Sequence, residues 1–102
     1  MAAEEIQADF EALNKLKERF AQQSALAEQT LNLLRRNLNT LEQGGWIGEG
    51  ARKFYAEMND SVMPSVTRLK SALANASTGL GRIVKEMEQA DEEMGQAMDS
   101  GV

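Results

Sequence analysis

A seven-residue apolar period runs along this chain twice and breaks once, between Gly44 and Gly50. From Ile6, steps of four and three give Ile6, Phe10, Leu13, Lys17, Phe20, Ser24, Ala27, Leu31, Leu34, Leu38 and Leu41, and nine of these eleven places are apolar. A strand would alternate every second residue; this spacing instead lays a stripe along one side of a helix. Ile6, Leu13, Phe20, Ala27, Leu34 and Leu41 form one unbroken row. Phe10, Leu31 and Leu38 form most of a second, with Lys17 and Ser24 as polar interruptions. Seams of this kind belong to helices packed at a shallow angle. Glu4 and Glu5 fall in the expected first turn, where the helix dipole favours acids.

The pattern stops at Gln43, and Gly44, Gly45, Gly48 and Gly50 place four of the eight glycines within seven residues. Glycine is the residue that enters the left-handed region cheaply, so it ends helices. A second run opens with Ala51, Phe54, Tyr55 and Met58. It continues through Val62, Val66, Leu69, Leu73, Ala76, Leu80, Ile83, Met87, Ala90, Met94 and Ala97, all apolar. Joining Met58 to that register takes two steps of four, a stutter that relaxes a supercoil. Pro64 lies close by, and a proline inside a helix costs about 3 kcal/mol and kinks it. Two readings stay open there: a kinked helix, with Asp60 or Ser61 capping a fresh start, or a loop that extends to Val62. Gly79 and Gly81 either mark a break or, because the heptad continues in phase beyond them, admit a neighbouring helix closely. The expected organisation is one domain over residues 1–102, with helix one at about 3–43 and the turn at 44–49. Helix two follows at about 50–98, kinked near 60–64, and 99–102 form a frayed tail.

Each helix would be roughly 60 Å long at about 1.5 Å per residue. A short glycine turn makes such helices antiparallel neighbours, and two helices alone have no interior. Leu16, Leu26, Leu33, Phe54, Met63, Val84 and Met98 lie beside the main rows and exceed what one seam can cover. The expected fold is therefore all-α: an antiparallel helix–turn–helix hairpin that dimerises into a four-helix bundle. Its packing and dimer contacts are expected from Phe10, Leu13, Phe20, Leu31, Leu34, Leu38, Leu41, Val62, Val66, Leu69, Leu73, Leu80 and Ile83.

Composition removes most chemistry. The chain has neither cysteine nor histidine, which excludes thiol and imidazole catalysis and most zinc sites. Bundle di-metal sites pair Glu with His, so Glu86, Glu88, Asp91, Glu92 and Glu93 read as a solvated face and no metal or cofactor is expected. No Gly-Lys-Ser/Thr follows the glycine cluster, so it is not a phosphate loop. A net charge of −5 with scattered basic residues argues against nucleic acid. No stretch is long and apolar enough for stable membrane insertion. The acidic N-terminus lacks the apolar core of a secretory signal peptide. The reading is a non-enzymatic chain that associates with other helices.

Trp46-Ile47-Gly48, central in the chain and flanked by the two heptad runs, resembles the WXG family of small early-secreted-antigen-like proteins exported by type VII secretion systems. Members often carry a C-terminal pattern of apolar, acidic, apolar and apolar residues at steps of four, three and four. Met87, Asp91, Met94 and Met98 match that spacing. The Tyr-x-x-x-Asp/Glu signal of some members is missing, because Asn59 stands four residues after Tyr55. The resemblance implies a dimeric helical hairpin, with itself or with a paralogous WXG protein, secreted from a cytoplasmic pool without a cleavable signal peptide. It also implies a membrane-bound FtsK/SpoIIIE-type ATPase as export partner, with Trp46 and Gly48 of the turn and Met87, Asp91, Met94 and Met98 as the residues read. Two other classes stand beside it: a cytoplasmic coiled-coil adaptor, and a secreted effector acting on membranes or host proteins.

Overall fold

The computed structural model describes the backbone of residues 2–100 and the side chains of residue 7 and residues 9–95. Helix α1 spans Ala2–Gln43, α2 spans Glu49–Glu57, and α3 spans Met63–Ser100, with a π-helical turn at Met58–Val62 joining α2 to α3. No strand occurs among the described residues. α1 and α3 lie along each other as an antiparallel hairpin measuring 80 × 18 × 18 Å. The radius of gyration is 22.7 Å, against about 13 Å for a compact domain of this length. Helix α3 continues through Asp99 and Ser100, where a frayed tail is expected from the sequence. Gly101 and Val102, and the side chains of Glu4, Glu5, Ile6, Ala97 and Met98, lie outside the described residues.

The helix end at Gln43 is a Schellman motif. Trp46 N–H donates to the Leu41 carbonyl and Gly45 N–H to the Glu42 carbonyl, both at 3.1 Å, with Gly45 at φ +79°. Two of the carbonyls that a helix C-terminus leaves free are thereby used, and the residue in the left-handed conformation is a glycine. Gly48 precedes α2 at φ +120° and ψ 179°, and its carbonyl accepts from Arg52 N–H at 3.0 Å. The turn is thus a helix stop followed at once by a helix start.

No fresh helix starts at Asp60 or Ser61, and no loop extends to Val62. The chain stays helical, and Met63 N–H reaches back five residues to the Met58 carbonyl. A π turn takes up one extra residue and so rotates the following helix by about 100°. This is the structural form of the stutter: it lets Ala51, Tyr55 and Met58 face inward on one side of the join and Met63 on the other. It also widens the backbone just before Pro64, whose ring would press on the Asp60 carbonyl in a regular helix.

The inner row of α3 is Met63, Lys70, Ser77 and Val84, with Met63 and Val84 buried. The expected row Val66, Leu73, Leu80 and Met87 runs beside it half-buried, so the seam within one chain differs from the expected one by the exchange of a single row. Leu69 and Ile83 are exposed, and so is Leu41 at the end of α1, while Val62, Val66, Leu73 and Leu80 are half-buried. On α1, Leu31 and Leu38 are buried and Phe10, Leu13, Phe20 and Leu34 are half-buried. Ser24 is only 9 % exposed, and Lys17 sits half-buried in the seam. Neither Gly79 nor Gly81 receives a helix backbone. A Cβ added to Gly79 would have nothing within 4 Å, and one added to Gly81 would meet only the Lys17 stem.

Candidate functional site

The tip of the hairpin is an aromatic cluster. The Trp46 ring meets Phe54 and Tyr55 edge-on, each at a centroid distance of 5.5 Å, and Phe54 and Tyr55 meet at 6.2 Å. Edge-to-face contacts of this kind are favourable beyond the area they bury. The Tyr55 hydroxyl donates to the Trp46 carbonyl at 3.1 Å. Burial, then the Glu42 carboxylate, raises the phenol above its ordinary value. Trp46 therefore packs the turn against α2, yet the residue remains 43 % exposed and Ile47 beside it is 86 % exposed. Sequence reasoning misses Phe54 and Tyr55 as parts of this site. Their signal is an aromatic pair two helical turns into α2, close enough to fold back on the tryptophan.

A second feature runs along one side of the rod. A shallow groove of about 260 Å³ is lined by Gln23, Leu26, Ala27 and Thr30 of α1 and by Val66, Leu69 and Leu73 of α3. Leu26 is 51 % and Leu69 54 % exposed. Heptad steps continue this side: Leu33 follows Leu26, Leu16 precedes Gln23, and Ile83 lies two heptads past Leu69, all exposed. No side chain in the described region is fully buried. A monomer rarely leaves a long apolar face like this uncovered.

Within one chain the expected export residues and the tip are far apart. Ser77 of α3 bonds to Lys17 of α1, so Met87 lies level with the start of α1, at the end of the rod opposite Trp46. Met87 is half-buried, Asp91 exposed, and Met94 66 % exposed; the Met98 side chain lies outside the described residues. Among the described residues no group of three or more acidic side chains is placed to hold a metal ion. Among the described residues no helix is long and apolar enough to cross a membrane.

The tip is built around a tryptophan and a glycine that the backbone demands at φ +120°, and a family model described as proteins of 100 residues with WXG matches residues 5–92. The chain belongs to the WXG100 family. This family is associated with type VII secretion, and its members are secreted helical proteins that typically form dimers. No curated relative and no solved structure matches the chain. Family membership accounts for the turn; the groove and the aromatic packing are features of this WXG chain's own residues.

Proposed function

We propose that this WXG protein is a non-enzymatic substrate, and co-export partner, of a type VII secretion system, and that it leaves the cytoplasm as a folded dimer. The observation that carries the reading is the apolar side of the rod. Fully burying one Leu or Ile is worth roughly 1.5–3 kcal/mol, so covering the exposed half of each is worth roughly 1 kcal/mol. Leu16, Leu26, Leu33, Leu69 and Ile83 together favour a second hairpin, giving a four-helix bundle. Either a second copy or a paralogous WXG protein supplies it; the second copy is the simpler partner because one surface then serves both chains.

In an antiparallel dimer the tip of one chain lies near the C-terminal part of the partner's α3. The exposed rings of Trp46 and Phe54 would then share one end of the bundle with Met87, Asp91, Met94 and Met98 of the other chain. An FtsK/SpoIIIE-type ATPase that reads both elements reads only the assembled dimer. The charge distribution supports that orientation: Asp9, Glu11, Glu86, Glu88, Asp91, Glu92 and Glu93 crowd the open end, where two chains laid in parallel would repel, whereas toward the tip Arg35, Arg36, Arg52 and Lys53 are balanced by Glu42, Glu49, Glu57 and Asp60. The test compares culture supernatants from cells with an active and an inactive secretion ATPase. The protein is expected outside only in the first, and Asp91→Ala is expected to stay inside while keeping the wild-type mass. Equal release with the ATPase inactive removes the reading.

A further inference from the structure

Two serines and two lysines inside the hairpin are arranged in a way that export does not explain. Ser24 lies one heptad after Lys17 in α1, and Ser77 one heptad after Lys70 in α3. The Ser24 hydroxyl donates to the Lys70 carbonyl, and the Ser77 hydroxyl donates to the Lys17 carbonyl, both at 3.0 Å. The lysine stems cross in the same reciprocal sense. Lys70 Nζ stands 3.4 Å from Glu28 Oε1, four residues past Ser24. Lys17 Cδ lies 3.5 Å from the place a Cβ would take on Gly81, four residues past Ser77. The two halves of the unit are related by an approximate two-fold axis across the seam.

This polar unit sits on the less apolar of two available faces. Turning α3 by about 50°, half the rotation of one residue, would keep Val66, Leu73 and Leu80 in the seam and bring Val62, Leu69, Ala76 and Ile83 in beside them, a row with no polar member. Burial of apolar surface alone favours that row over Met63, Lys70, Ser77 and Val84. What favours the observed face is hydrogen bonding. Each carbonyl has a second lone pair beyond the one used in its own helix, and Ser24, which stays in the seam when α3 turns, would lose its cross-helix acceptor and fall back on a bond within its own helix, as Ser65, Thr67 and Thr78 do. The rotated arrangement would separate both donors from both acceptors at once.

We infer that Ser24 and Ser77 form a reciprocal clamp that selects the mating faces of α1 and α3, and that this selection is what leaves Leu69 and Ile83 of α3 outside for a partner. The clamp itself does not depend on export or on the identity of that partner. A buried polar layer that fixes register at some expense of stability is a known use of such groups in helical assemblies.

Cysteine pairs test it in the full chain, which has no cysteine of its own. Leu31 and Met63 lie one heptad beyond Ser24 and one before Lys70, so Leu31→Cys with Met63→Cys reports the observed face; Leu31→Cys with Val62→Cys reports the rotated one. Intrachain disulfide formation is scored at monomer mass on non-reducing gels, which separates it from links between chains. With both serines present the Met63 pair is expected to dominate. In Ser24→Ala with Ser77→Ala the preference is expected to fall about tenfold, the change that two net hydrogen bonds are worth, and about threefold in each single variant. Alanine is the strongest helix former, so helicity at 222 nm is expected to be kept, which separates loss of face selection from loss of fold. A double variant that retains the full preference for the Met63 pair overturns the inference.

Discussion

Replacing Gly48 by alanine isolates the backbone cost of the WXG turn. Gly48 sits at φ +120° and ψ 179°, a region that residues with a Cβ essentially do not occupy and that costs about 1–3 kcal/mol when forced. A Cβ there would meet nothing within 4 Å, so the cost is local strain and not collision with neighbours. Alanine also narrows the unfolded ensemble, which returns about 0.4–1 kcal/mol, leaving a net loss of about 1–2 kcal/mol. That is a sizeable part of the roughly 5–15 kcal/mol typical of a domain, and it lowers Tm by about 4–16 °C. Gly50→Ala is the control. Gly50 has no positive φ, nothing stands within 4 Å of its Cβ position, and it lies in the first turn of α2. It keeps the unfolded-state term without the strain and is expected to be stabilised by about 0.4–1 kcal/mol. Urea unfolding of both variants at one matched protein concentration, needed because association shifts apparent stability, gives the comparison. If Gly48→Ala is as stable as Gly50→Ala, backbone strain is not why a glycine stands there.

Other substitutions separate the remaining roles. Gly79→Ala, with open space at the Cβ position, is expected to raise stability by about 1 kcal/mol through helix propensity, read as a higher urea midpoint at unchanged slope. Tyr55→Phe removes the hydrogen bond to the Trp46 carbonyl and is expected to lower stability by about 0.5–1.5 kcal/mol, with Trp46 fluorescence shifting toward that of a solvated indole. The phenol of Tyr55 is raised in the folded chain, so its contribution is full below the unfolded pKa of about 10 and is lost as pH rises through the higher folded value. Ultraviolet titration near 295 nm is expected to show this single tyrosine ionising above a model peptide, and Glu42→Gln is expected to bring it part of the way back.

Much of the hairpin is legible in the sequence because it follows from period and punctuation. The heptad from Ile6 to Leu41 sets α1, and Gly44-Gly45 sets its end, since a Schellman motif needs glycine at the left-handed position. The groove-lining Leu26 is legible as apolar surface in excess, whereas the period assigns Leu69 to the inner seam. The face of α3 is not legible, because periodicity ranks faces by apolar content and the chain uses the less apolar one. Ser24 reads along the chain as an interruption, and only its distance to a carbonyl on the other helix makes it a contact. The π turn is likewise hidden: two steps of four signal a stutter, but whether the chain answers with a break or with one extra residue in a turn depends on Ala51, Tyr55 and Met58 having α1 to pack against. In sequence Tyr55 is half of a missing motif, and its place beside Trp46 comes from the fold of the turn.

The apolar side of the rod as the surface that receives a second hairpin is tested most directly by light-scattering mass of the purified chain beside its Leu26→Glu, Leu69→Glu double variant. The expected result is a wild-type mass of two chains of 11.2 kDa each and a double variant at the mass of one chain with its helicity retained. A wild type that stays at one chain at every concentration, or a double variant that keeps the mass of two, contradicts it.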